Sequence, residues 1–223
     1  TRPAYLTGFA PGYLRFESAL TPHLGLQTEY WAMESHAIGV RFTVANIHSE
    51  ALEVELDVVA FVGMNNKEQA LIPLPSTTGL NALCLGKVGN LQPVVVLEDG
   101  LIENAPPSNP KLTRTFTVPP KQRVTLRIVH AGLSDVTQSV ALTQKWLQAD
   151  WTAAFTKIET GIQAIPQIET GDTDLDTTIA FSYRELVQSF LKPTASLPYS
   201  SFVTTRDPGR GYNIKDMGWN GHA

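Results

Sequence analysis

From about residue 14 to about residue 131, apolar and polar positions alternate with a period of two. Ile38, Val40, Phe42 and Val44 are interleaved with Gly39, Arg41 and Thr43. Along 52–62, Leu52, Val54, Leu56, Val58, Ala60 and Val62 share one parity, and Glu53, Glu55 and Asp57 the other. Leu112 and Phe116 sit among Thr113, Thr115 and Thr117, while Val124, Leu126 and Ile128 alternate with Thr125 and Arg127. One packed face and one wet face is the pattern of antiparallel sheet. Turn clusters at 46–50, 65–68, 73–79, 86–90 and 104–110 separate the runs. Regular strands with no helical pattern between them predict a β-sandwich over residues 1–133.

At Ser134 and Asp135, both good N-caps, the period changes. Val136, Val140, Leu147, Trp151, Phe155, Ile158 and Ile162 form a stripe at steps of mostly three, four or seven. Read as one helix it ends by Gly161 or, at the latest, Pro166. A second helix is expected from Thr173 as N-cap, with Asp176 three residues on in a capping box. Its stripe is Leu175, Ile179, Leu186 and Phe190, closed by Pro193. Asp172, Asp174 and Asp176 also resemble the start of a calcium loop. Thr177 stands where that loop needs Gly, however, and Tyr183 where it needs Glu, so capping is favoured. The fold class is therefore α+β by segregation: an antiparallel, supersandwich-like β-sandwich, then two helices and an irregular C-terminal segment.

Composition adds limits. The 223 residues carry 43% hydrophobic and 17% charged side chains, with a net charge of -4. There is length for a core without staples, and no basic cluster for nucleic acid or an anionic membrane. The single cysteine, Cys84, lies in an apolar run and reads as a small buried hydrophobe. No apolar run is long enough for a membrane span, and residues 1–13 have no signal-peptide core. A soluble protein is expected, cytoplasmic or secreted after signal removal.

Within the predicted sandwich, candidate chemistry is sparse. His23, His36, His48 and His130 are scattered without metal-ligand spacing, so no metal is expected. The row Glu53, Glu55, Asp57 reads as a solvated strand face. Tyr30 and Trp31 fit either a sugar-stacking platform or packed interior. No Walker, Rossmann or Gly-x-Ser-x-Gly motif is present, and no cofactor is expected.

Residues 197–223 are richer. Tyr199, Phe202, Tyr212 and Trp219 supply rings for the C–H faces of sugars, and Arg206, Asp207, Arg210, Asp216, Asn220 and His222 supply hydrogen-bonding groups for hydroxyls. The segment suits either a substrate-side loop or a structural one. Arg206, Asp207, Tyr212, Asp216, Trp219 and His222 are the candidate substrate-binding residues. Asp207 and Asp216 are weak candidates for a catalytic carboxylate pair; pairing of Asp207 with Arg206 or Arg210, or a turn before Pro208, is the alternative.

These residues also carry a family resemblance, over 168–221. Gly171-Asp172-x-x-Leu175-Asp176, a helix ending at Pro193, Leu197-Pro198-x-x-Ser201-Phe202 and Arg206-x-Pro208-x-x-Gly211-Tyr212 look like a barrel entry. That barrel is the six-hairpin α/α catalytic barrel of bacterial glycoside hydrolases on the glucoamylase, maltose phosphorylase and glycogen-debranching plan. The resemblance implies that residues 134–223 are a linker helix, a second helix and the start of an incomplete α/α barrel. It also implies a carbohydrate substrate, with the main catalytic carboxylates outside this chain. The partner on the helices would be the rest of a barrel or another chain. A non-catalytic glycan-binding or assembly module is the alternative.

Overall fold

The computed structural model describes residues 2–60, 71–75, 80–103, 110–164, 167–188, 190–191 and 201–202. The strands are β1 (Arg2–Ala10), β2 (Tyr13–Thr21), β3 (Leu24–Glu34), β4 (Ala37–Asn46), β5 (Leu52–Val59), β6 (Ile72–Leu74), β7 (Ala82–Cys84), β8 (Gln92–Leu97), β9 (Leu101–Glu103), β10 (Lys111–Val118) and β11 (Arg123–Leu133). Helices α1 (Val136–Leu147), α2 (Trp151–Gln163) and α3 (Thr173–Gln188) follow, then the short strands β12 (Phe190–Leu191) and β13 (Ser201–Phe202).

An eight-stranded sheet runs β1-β2-β3-β4-β11-β8-β7-β6, a three-stranded sheet runs β5-β10-β9, and β12 pairs with β13. Every pairing is antiparallel. The two larger sheets share a core in which Leu83, Val95 and Leu97 meet Leu112, with Leu56, Val58, Ile102 and Ile128 around them. The expected α+β sandwich followed by helices is therefore what the chain forms. In β5 the acidic row is exposed and the apolar row half-buried. Lys111 bridges Asp57 at 2.7 Å and Glu103 at 2.9 Å, which holds the Asp57 carboxyl below its usual range. Cys84 is buried and free. Asn46, 2% exposed, ties the turn after β4 by donating to the carbonyls of Glu50 and Val118 at 2.8 and 2.9 Å.

Helix α1 lies against β11 and β8. The residues it buries include Ser139 and Thr143, small enough for close approach. Asp135 caps it, accepting from the Gln138 N–H at 3.0 Å. The single long helix does not form. The chain leaves helix after Leu147, and Asp150 restarts it by accepting from the Ala153 N–H at 2.9 Å. The Trp151 indole N–H donates to the Trp146 carbonyl at 2.8 Å, fixing the corner.

Two compact units result, Thr1–Ala153 and Ala154–Ala223. The first thus includes α1, beyond the 133/134 division expected from periodicity. In the second unit the cap of α3 is Asp172, not Thr173: its carboxylate accepts from the N–H groups of Asp174 and Leu175 at 3.0 and 3.1 Å. Asp176 turns back to the Thr170 N–H at 2.7 Å and hydroxyl at 2.6 Å. The helix ends at Gln188, so Phe190 belongs to β12 rather than to the helical stripe.

Candidate binding face of the eight-stranded sheet

The alternation that sends Val40, Phe42, Leu126 and Ile128 into the sandwich sends Arg41, Thr43, Thr125 and Arg127 to the opposite face. Strand register then lines these residues up. One rung crosses four strands as Arg15, Glu29, Arg41 and Arg127. Glu98 lies beyond it, its N–H donating to the Arg127 carbonyl at 2.9 Å. The next rung is Glu17, Gln27, Thr43 and Thr125, with the two threonine hydroxyls 3.2 Å apart. On the other side lie Tyr13, Trp31, Gly39 and Val129.

Glu29 is 2% exposed, and both carboxylate oxygens are engaged. The Tyr13 hydroxyl donates to Oε1 at 2.8 Å and Arg41 Nε to Oε2 at 2.5 Å. Arg127 grips Glu98 through Nη2, Nε and its own main-chain N–H, the last two at 3.1 Å. The Glu98 carboxylate raises the Arg127 pKa against the opposing effect of burial. Arg41, Glu98, Thr125, Arg127, Asp150 and Thr152 line a polar cleft of about 270 Å³, with Trp151 as one wall. The aromatic end of the face is closed by Trp31, which meets Trp146 and Trp151 edge-on at 5.3 and 5.5 Å.

Tyr30 and Trp31 do not form a platform. Adjacent strand residues point to opposite faces: Trp31 joins the tryptophan cluster, while Tyr30, 38% exposed, meets Phe16 edge-on at 6.0 Å. A second cavity, about 600 Å³, is lined by Ile38, Leu85, Leu91, Pro93, His36 and His130. The His130 Nε2 is buried without a hydrogen-bond partner, and desolvation pushes its pKa below the usual imidazole value. The His23 and His48 rings meet at a tilt of 55°, with centroids 4.5 Å apart. Among the described residues no group of three or more His, Cys, Asp or Glu could hold a metal ion, and no helix is long and apolar enough to cross a membrane.

The C-terminal candidates Arg206, Asp207, Tyr212, Asp216, Trp219 and His222 lie outside the described residues. Of the residues that the structure does bring together, Arg41 and Arg127 carried one signal in the sequence, a charge at an outward position of an alternating strand, whereas Glu98, just past the non-alternating β8, carried none.

No family model matches the chain, and no curated protein does. Among solved structures it is similar to a "putative kojibiose phosphorylase" from the human microbiome. That likeness has 10% identity and a TM-score of 0.52, over 80% of this chain and 27% of that one. A protein of Synechocystis sp. PCC 6803 is matched at 10% identity and TM-score 0.43, over 60% of this chain and 66% of that one. Heparinase III is matched at 8% identity and TM-score 0.42, over 61% of this chain and 22% of that one. The chain thus spans about a quarter of the phosphorylase, and what they share is the fold.

Proposed function

We propose that this chain is the N-terminal sandwich and linker-helix portion of a carbohydrate-active enzyme, with the main catalytic carboxylates in a part of the protein beyond it. The observation that carries this reading is the order of elements, a sandwich then helices, matched along 80% of the chain by a phosphorylase of which it spans 27%. The barrel-entry pattern at Gly171–Asp176 and Arg206–Tyr212 supports it. In the second unit Ile168 and Leu175 are 43% and 48% exposed. Such apolar surface suits a helical neighbour, either the rest of an α/α barrel or another chain.

The reaction is cleavage of a glycosidic bond. In the hydrolytic form one carboxylic acid protonates the leaving oxygen and a carboxylate activates water from the opposite face. In the phosphorolytic form inorganic phosphate replaces that water as nucleophile. The test is the intact protein containing this chain, incubated with di- and oligosaccharides with and without phosphate. Free sugar without phosphate marks a hydrolase, and sugar phosphate marks a phosphorylase. A native protein with the mass of these 223 residues alone, inert under both conditions, would sink the reading.

The alternative is a non-catalytic glycan-binding sandwich. It is favoured by one observation: the polar cleft lies wholly on the sandwich unit.

A further inference from the structure

We infer that the cleft over the Arg41–Arg127 pair is a binding site for one neutral sugar unit. The ligand class rests on the carbohydrate reading above, whereas the site rests on geometry alone. Arg41 and Arg127 are directly opposite one another across β4 and β11. Like charges in that relation destabilise a sheet. Each is compensated from its outer side, Arg41 by Glu29 and Arg127 by Glu98. A face that needed only to be covered would carry apolar residues, as the same sheet does at Val94, Val96, Val129 and Ala131 near α1. Here two ion pairs are kept instead, the Arg41–Glu29 pair largely buried and the Arg127–Glu98 pair partly open to solvent.

The pairs immobilise the guanidinium planes. Among the described residues Arg127 Nη1 has no hydrogen-bond partner, and Arg41 Nη1 donates to the Thr152 hydroxyl at 3.5 Å. Thr125 and Thr152 add hydroxyls that both donate and accept, and Asp150 and Glu98 add acceptors. The lining charges cancel, with Arg41 and Arg127 against Glu98 and Asp150. An anion would want donors alone. A polyol wants both kinds, at fixed positions. A volume of about 270 Å³ falls just below the range of about 300–1,000 Å³ usual for larger ligands and suits a single ring.

The experiment is NMR titration of the full chain, following the Nε–H signals of Arg41 and Arg127. The probes are glucose, galactose and mannose, and separately inorganic phosphate. A neutral sugar should shift both signals saturably. Thr125→Val, which keeps shape and removes one hydroxyl, should weaken binding about fivefold. Thr115→Val, on the exposed row of β10, should leave it unchanged. Unshifted signals with all three sugars, equal affinity in Thr125→Val, or a response to phosphate in place of sugar would each overturn the site. Turnover by the intact enzyme without sugar binding to this chain removes the site and spares the proposed function. Binding without turnover does the reverse.

Discussion

Gly39 is the position where the fold of the first unit can be tested most sharply. It sits in β4 between Trp31 and Val129 on the helix-side face. A Cβ there would collide with Met33 Cε and Trp151 Cη2, and would lie 3.0 Å from Trp151 Cζ2. Met33 is flexible and can yield. Trp151 cannot do so freely, because its N–H is held by the Trp146 carbonyl and its ring by Trp31. Alanine is intrinsically better than glycine in a strand by about 0.5–1 kcal/mol. Against that, overpacking costs about 1–3 kcal/mol, the lost indole hydrogen bond about 1, and the lost edge-on ring contact about 0.5–1.5. Gly39→Ala should therefore destabilise by about 3 kcal/mol. At a urea slope of about 2 kcal/mol/M that moves the midpoint down by about 1.5 M.

The assay is urea unfolding by circular dichroism, with tryptophan emission as a second probe. Emission of the folded variant should shift to the red as Trp151 is expelled. A double-mutant cycle with Trp151→Ala isolates the clash. In that background Gly39→Ala should cost under about 1 kcal/mol, because the obstructing ring is gone. An unchanged midpoint, or strictly additive costs, would refute the placement of Trp151 over β4.

Three further outcomes are expected. Glu29→Ala should destabilise by about 3 kcal/mol, since it removes a buried carboxylate from Arg41. Tyr13→Phe removes one hydrogen bond and should cost about 1 kcal/mol; denaturant titration giving the reverse order would contradict the geometry. His130 has a folded pKa below its unfolded value near 6.5. The unfolded chain therefore binds more protons as pH falls from about 6.5 toward the folded pKa, and stability declines across that window. His130→Phe should flatten this slope in melts taken between about pH 5 and 7.5, with no difference in slope above the unfolded value. Asp172→Ala should loosen α3 by about 1 kcal/mol while Thr173→Ala leaves it almost unchanged, as read by amide exchange in the first turn.

The strands legible in the sequence are those with one wet face. β4, β5, β10 and β11 alternate and were readable. β7 and β8 were not, because Ala82, Leu83, Val94, Val95 and Val96 are buried whichever way they point. Sandwich core lies on one side and α1 runs against β8 on the other, so no period is left to read. Pro73, a turn signal in the sequence, sits in β6 at the sheet edge, where a missing N–H is tolerated. The break between α1 and α2 was hidden because Leu147 and Trp151 are four apart, a helical step whether or not the chain between them is helical. The cap of α3 slipped by one residue because Asp172 and Thr173 are both cap-forming types.

The candidate binding face shows why a cluster can be spelled out in a sequence and still be unreadable there. Arg41 and Arg127 were each recognisable as outward-facing. Nothing in either strand says that they are opposite one another, because that depends on a register set elsewhere. Leu26, Val44 and Leu126 must all reach the inner face, and a slip of one residue would turn each of them outward. The apolar residues thus fix the pairing, and the pairing builds the charged rung as a consequence. The glutamates follow the same logic. Glu29 is set opposite Arg41 by the β3–β4 register, and Glu98, the residue that follows β8, accepts from the Arg127 main-chain N–H. At this rung the inner face is set by packing, whereas the outer face escapes the cover that α1 and Trp151 give to Gly39, Val96 and Val129. The rung of four charges closed by a fifth is thus placed by apolar packing that none of the five takes part in on the inner face.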